Sequence, residues 1–300
     1  MGGRRLRAAT RGSPLARWQA EHVAALLRRA DTGVDVELVI VETDGDRRAD
    51  VPIWELGGKG VFAKEVQAAV LDGRADLAVH SAKDLPSVQV EGLVLACIPE
   101  RGDARDALVG ATLAGLPQGA EVATGSLRRQ AQLAAVRPDL RFVGLRGNMA
   151  TRVAKAADHD AVVVAGVALD RLGLGEHIAE RLATDVVLPQ VGQGALAVEC
   201  RADDPDLAAL LRSVEHGPSR RCVDAERAFL EALGGDCSIP AAAYAVVVDG
   251  ALTIEGRVAS PDGSTLLRHV AVGEDASIGT EVARVLLDEL GGRALLEPGR

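Results

Sequence analysis

Three helix starts in this 300-residue chain carry arginine where electrostatics favours acid. Ser13 followed by Pro14 reads as an N-cap and a first turn, and Ser126 and Asn148 read as N-caps too. A helix N-terminus bears partial positive charge, so Asp or Glu stabilises it and Arg does not. Yet Arg11 stands just before the first start, Arg128 and Arg129 follow the second, and Arg146 and Arg152 flank the third. An anionic ligand with several acidic groups resolves the conflict, because backbone N–H groups and guanidinium forks then act on it together. The plainer alternative is ordinary solvated arginine, in a chain with thirty arginines against four lysines.

A second constellation runs from WELGGKGVFAKE (54–65) to ADLAVHSAKDLPS (75–87) and holds Lys59, Lys64 and Lys83. Glycines around Lys59 suit either an anion-holding loop or a mobile one, and the spacing is not that of a P-loop. In HSAKDLP a strand gives way to a polar turn, the place where α/β proteins present ligand-facing groups. Asp84 is there either a surface partner of Lys83 or a carboxylate kept ionised among cations, able to stabilise a positive intermediate or move a proton. A third feature is Cys237, in the turn-rich stretch ALGGDCSIPAAA (232–243). Cys97, Cys200 and Cys222 fall in apolar strands or a helix and read as structural thiols.

The elements that must position these groups alternate β and α through the first two hundred residues. LRAAT, VDVELVIVE, DLAVHS and LVLACI read as strands, with helices at 14–29 and 61–72. DALVG, EVATG, RFVGL, DAVVVAG and DVVLP follow as strands, with helices at 127–136, 149–157 and 167–173. This order implies α/β architecture with mainly parallel sheets. IPERGD (98–103) and LPQVGQGA (188–195) break the periodicity and bracket a middle block, as in a two-lobed fold that leaves its first domain and returns. AATRGSPLAR and VATGSLRRQ echo one another as strand, Thr, Gly, Ser, helix. Beyond residue 215 come a helix at 219–233, strands joined at Asp249-Gly250, a further strand and a last helix from about 277, a small α+β domain.

Composition narrows the classes. The chain is 48% hydrophobic and 26% charged, which suits globular cores. It has no apolar run of membrane-spanning length and no signal-peptide core, so a cytoplasmic protein without a membrane partner is expected. A net charge of −9 argues against a nucleic-acid partner. No Cys or His spacing suits a metal. GQGALA (192–197) fits a dinucleotide fingerprint in letters only, since the residues after it alternate like a strand.

Taken in order, ATRGSPLARWQA, GGKGVFAKE, ADLAVHSAKDLP, ATGSLRRQAQL, LRGN, DRLGL, PQVGQGA and GGDCSIP resemble the porphobilinogen deaminase (hydroxymethylbilane synthase) family, nearly end to end. That family joins four porphobilinogen molecules head to tail, loses ammonia each time and releases a linear tetrapyrrole. Growth starts on a dipyrromethane cofactor in thioether linkage to a cysteine. The resemblance implies that Cys237 is the attachment cysteine and Asp84 the catalytic aspartate, contacting pyrrole nitrogens and stabilising a cationic azafulvene. It also implies that Arg11, Ser13, Lys83, Thr124, Ser126, Arg128, Arg129, Arg146 and Arg152 bind acetate and propionate groups. Arg171 joins them, although AGVALD before it departs from the usual pattern. Phe62 would pack on a pyrrole ring and Lys59 would belong to a loop over the cleft. The implied fold has two periplasmic-binding-protein-like α/β domains (1–98 with 195–214, and 99–194) and an α+β domain (215–300) bearing the cysteine. A monomer is expected by the same resemblance. The rival from another class is a non-catalytic anion receptor on the same two-lobed fold.

Overall fold

Residues 4–47, 60–234 and 239–296 are described by the computed structural model. They fall into two units, Met1–Gly102 with Gly194–Arg220, and Asp103–Gln193 with Arg221–Arg300. The chain therefore leaves the first unit within IPERGD and re-enters it within VGQGA.

In the first unit, strands β1 (Arg4–Arg11), β2 (Val34–Val41), β3 (Leu77–Ser81), β4 (Leu93–Cys97) and β10 (Leu196–Arg201) form one sheet in the order β2-β1-β3-β10-β4. Helix α1 (Pro14–Ala30) buries Ala16, Ala20, Val23, Ala24 and Leu27, the i, i+4 stripe of an amphipathic helix, against this sheet. A fully buried leucine such as Leu27 is worth about 1.5–3 kcal/mol over an exposed one. The short helix α2 (Asp44–Arg47) follows β2, and α3 (Lys64–Leu71) precedes β3.

In the second unit, β5 (Asp106–Val109), β6 (Glu121–Ala123), β7 (Arg141–Val143), β8 (Ala161–Ala165) and β9 (Ile178–Arg181) form a sheet in the order β7-β6-β8-β5-β9. The central β8, AVVVA, is buried at every position, as a strand covered on both faces must be. Helices α4 (Leu127–Val136), α5 (Met149–Ala154) and α6 (Gly166–Arg171) connect these strands. Helix α7 (Pro205–Arg212) belongs to the first unit, and α8 (Gly217–Ala232) leads into the second. There an antiparallel meander of β11 (Ala241–Val248), β12 (Ala251–Ala259) and β13 (Leu266–Gly273) packs on α8 and α9 (Ser277–Arg284), before α10 (Arg293–Leu296). Phe229, Leu252, Ile254, Val258, Val282 and Leu286 form its core. Asp249 and Gly250 both adopt positive φ, 50° and 83°, as the expected two-residue hairpin turn requires.

Two expectations change. The large sheets are mixed: β1 pairs in parallel with β2 and β3, whereas β10 runs antiparallel to both of its neighbours. The second sheet repeats this, with β6 parallel to β7 and β8, and β5 antiparallel to β8 and β9. Hydrophobic runs report burial but not direction, and here β5 and β10 are the strands that follow each crossing between units. DVVLP is also not a strand. Val186 and Val187 both donate to the Ala183 carbonyl in a turn, and the sheet's edge is instead β9, just upstream.

Candidate functional site

The three arginine-bearing starts are capped as their sequences require. Ser13 Oγ accepts the Ala16 N–H at 3.3 Å, Ser126 Oγ the Arg129 N–H at 3.5 Å, and Asn148 Oδ1 the Thr151 N–H at 3.0 Å. Thr124 Oγ1 accepts the Ser126 N–H at 3.3 Å, which tightens the turn into α4.

In the first unit, Arg11 ends β1 with its guanidinium 4.0 Å from the Phe62 ring centroid. It donates through Nε to Asp46 Oδ2 at 3.1 Å and through Nη2 to Asp46 Oδ1. Thr43 Oγ1 donates to the same carboxylate at 2.8 Å. Burial alone would raise the Asp46 carboxyl, but the hydrogen bonds from Arg11 and Thr43 hold it below the usual range. Only glycine fits at position 45, since a Cβ there would fall 2.1 Å from the Phe62 ring. Phe62 thus lies against Arg11.

Asp84 closes a short 3-10 turn, Ala82–Asp84, that continues β3. The Ala82 N–H donates to the Ala195 carbonyl at 3.0 Å, fixing where the turn leaves the sheet. Beneath it, His80 Nε2 lies 3.2 Å from Glu199 Oε2, and Gln67 Nε2 donates to the same oxygen at 2.8 Å, all three buried. The Asp84 side chain is half-buried and makes no hydrogen bond or ion pair among the described residues. Lys83 precedes it on the same turn.

In the second unit, Arg128 and Arg129 are buried around one carboxylate, Asp106, itself fully buried. Arg129 donates Nε and Nη2 to Asp106 Oδ1 at 3.0 and 2.7 Å, and Nη1 to the Val163 carbonyl at 3.2 Å. Arg129 therefore spends its fork inside the protein. Arg128 uses only Nη1, 2.7 Å from Asp106 Oδ2 and 2.6 Å from the Leu188 carbonyl. Its Nε and Nη2 are buried without a partner among the described residues. Those two nitrogens form one edge of the guanidinium, the geometry that receives a carboxylate bidentately. Arg128 lines an indentation with Ser126, Gln190, Phe229 and Ile239. Burial would raise Asp106, yet the charges of Arg128 and Arg129 hold it far below the ordinary carboxylate range.

Around α5, Arg146 Nε is likewise buried without a partner among the described residues, and Arg152 Nε donates to the Gly147 carbonyl at 2.8 Å. Arg171 ends α6, where burial pulls its guanidinium down to about 10, so it remains charged at neutral pH. Cys237 and Lys59 lie outside the described residues. Ile239, two positions after Cys237, lines the Arg128 indentation. A donor set of orphaned guanidinium edges fits a cofactor bearing several carboxylates. Among the described residues no cluster of His, Cys, Asp and Glu could hold a metal. Sequence reasoning missed Asp106, Asp46 and Gln132; the one available signal was an aspartate opening DALVG directly after the crossover.

Two family models match. One, described as porphobilinogen deaminase, dipyromethane cofactor binding domain, covers residues 6–209, and the other, porphobilinogen deaminase, C-terminal domain, covers residues 220–288. A curated porphobilinogen deaminase from Nitratidesulfovibrio vulgaris (strain DSM 19637 / Miyazaki F) is 49% identical over 286 residues, 93% of this chain and 90% of the relative. Another, from Syntrophotalea carbinolica, is 48% identical over 290 residues, 94% of this chain and 92% of the relative. Among solved structures, the methionine binding protein MetQ aligns with 70% of this chain and 88% of its own, at 14% identity and a TM-score of 0.43.

Proposed function

The chain belongs to the porphobilinogen deaminase family, and from that premise we propose which of its residues carry the family's reaction. The reaction condenses four porphobilinogen molecules into the linear tetrapyrrole hydroxymethylbilane, releasing ammonia at each step. The bound dipyrromethane supplies the acceptor carbon for the first addition and the acidic side chains by which the growing chain is gripped.

Arg128 is the principal carboxylate-binding group, and its open, buried Nε–Nη2 edge is the observation that carries the reading. A desolvated guanidinium edge with no protein partner is costly unless a ligand acid completes it. Arg146, whose Nε has no partner among the described residues, offers a second such contact. Arg11, Ser13, Lys83, Thr124, Ser126, Arg152 and Arg171 extend the anion-binding set. Arg129 contributes by holding Asp106, and through it Arg128, in place. Phe62 offers a ring face to a pyrrole, and Lys59 is assigned to the same substrate-handling set.

Cys237 anchors the cofactor. The nucleophile in thioether formation is a thiolate, and burial pushes Cys97 up to about 12 and Cys200 up to about 11, leaving both protonated. Cys222 is buried as well. Asp84 accepts the pyrrole N–H of the incoming unit and faces the positive charge that develops as ammonia leaves. Its carboxylate, on a pinned turn and without a partner among the described residues, is available for that role. Residues 1–98 with 195–214, 99–194 and 215–300 are the three domains. The protein acts as a cytoplasmic monomer; no described helix is long and apolar enough to cross a membrane.

Asp84→Asn tests the chemistry. The variant should fold and carry its covalent adduct by intact mass, while turnover falls by about 10²–10⁴. A near-normal rate would remove Asp84 from the mechanism.

A further inference from the structure

Strand β12 alternates as a strand packed on one face should: Leu252, Ile254, Gly256 and Val258 point to its own core. Residues 253, 255 and 257 point the other way, where polar side chains normally meet water. Arg257 breaks this rule, being 3% exposed. What covers it is the 184–188 segment and helix α4. Its Nη2 donates to the Thr184 carbonyl at 3.1 Å, and its Nη1 to the Val186 carbonyl at 3.4 Å and to Gln132 Oε1 at 3.0 Å. Nε donates to Glu255 Oε1 at 2.7 Å, which supplies the counter-charge. The hairpin beyond β12 seats on the same helix. Gly263, at φ 71°, comes so close that a Cβ would fall 2.3 Å from the Ala131 carbonyl.

Gln132 is the next link. Its Oε1 accepts from the Leu188 N–H at 2.8 Å as well as from Arg257, and its Nε2 donates to the Leu188 carbonyl at 3.1 Å and the Arg128 carbonyl at 3.3 Å. An amide has one acceptor end and one donor end. With two donors, Arg257 and the Leu188 N–H, meeting Oε1, the amide cannot flip, and Nε2 must face the Leu188 carbonyl. That carbonyl is the one that receives Arg128 Nη1 at 2.6 Å.

We propose that Arg257 is a positioning residue, which fixes the Gln132 amide and, through the Leu188 carbonyl, aims the open edge of Arg128. The C-terminal sheet thereby sets an anion-binding side chain in the neighbouring α/β layer. The inference rests on the reading of Arg128 as a carboxylate-binding group, and the test separates the two.

The experiment measures KM and kcat for porphobilinogen on holoenzymes whose adduct is verified by mass. Arg257→Met should raise KM about tenfold, the equivalent of one lost buried hydrogen-bond link, with kcat changed less than about twofold. Arg257→Lys should recover part of the loss. In an Arg128→Lys background, Arg257→Met should add nothing further, since the two act in series. Gln132→Glu keeps both accepted bonds but loses Nε2, and should raise KM similarly even if Arg257→Met fails to fold. Additive effects, or unchanged KM in a folded Arg257→Met or Gln132→Glu enzyme whose Arg128→Lys counterpart is impaired, would overturn the inference and leave the Arg128 reading intact. Unchanged KM in Arg128→Lys itself would overturn that reading.

Discussion

At the start of α4 the arginine pair lies in the protein interior, whereas at the start of α1 Arg11 is partly exposed. Arg128 and Arg129 share Asp106, which is fully buried, and Asp106 also accepts from Gln193 Nε2 at 2.8 Å. Arg11 shares Asp46 with Thr43 and leans on the Phe62 ring, with about a quarter of each charged side chain exposed. Both starts follow the same local pattern of strand, Thr, Gly, Ser and helix, or close to it. What differs is solvent. In the interior a guanidinium is almost wholly satisfied as a rule, so the edge of Arg128 left open among the described residues is what the proposed carboxylate contact rests on. At the surface the same ion pair is screened, and a ligand acid can compete with Asp46 at little cost.

The difference between the two starts depends most on Asp106. Asp106→Asn leaves two buried guanidinium groups around a neutral amide and should cost about 3–5 kcal/mol in urea unfolding. The pH dependence has a definite sign. The folded Asp106 carboxyl is held below its unfolded value of about 3.9, so its contribution is complete above that value. It is withdrawn only as pH falls through the lower folded value, and this acid limb should be missing in Asp106→Asn. A stability loss near zero would mean that the pair is not organised by Asp106. At the other start, Asp46→Asn should cost about 1 kcal/mol or less, and the difference should shrink further at high salt. A loss as large as that at Asp106 would erase the distinction between the two sites.

Much of this was readable from residue types. Caps at Ser13, Ser126 and Asn148 depend on local chemistry, and all three form as expected. The Asp249-Gly250 turn is local too. Strand direction is not, because β10 enters its sheet after a crossing that no short window contains. DVVLP misled for a different reason. Its apolar run suits a strand, but the Leu188 N–H and the Val186 carbonyl are served by the side chains of Gln132 and Arg257 from distant parts of the chain. Arg257 itself gave no signal, since it occupies a polar-face position in an alternating strand. Asp106 read as the first residue of a strand, and only three dimensions show two arginines converging on it.

Intact-mass measurement decides whether the arginines serve an acidic cofactor held covalently by Cys237. The purified wild-type protein should be heavier than its bare chain by one dipyrromethane unit, and Cys237→Ser, folded but inactive, should appear at the bare mass. An adduct retained in active Cys237→Ser would contradict that attachment.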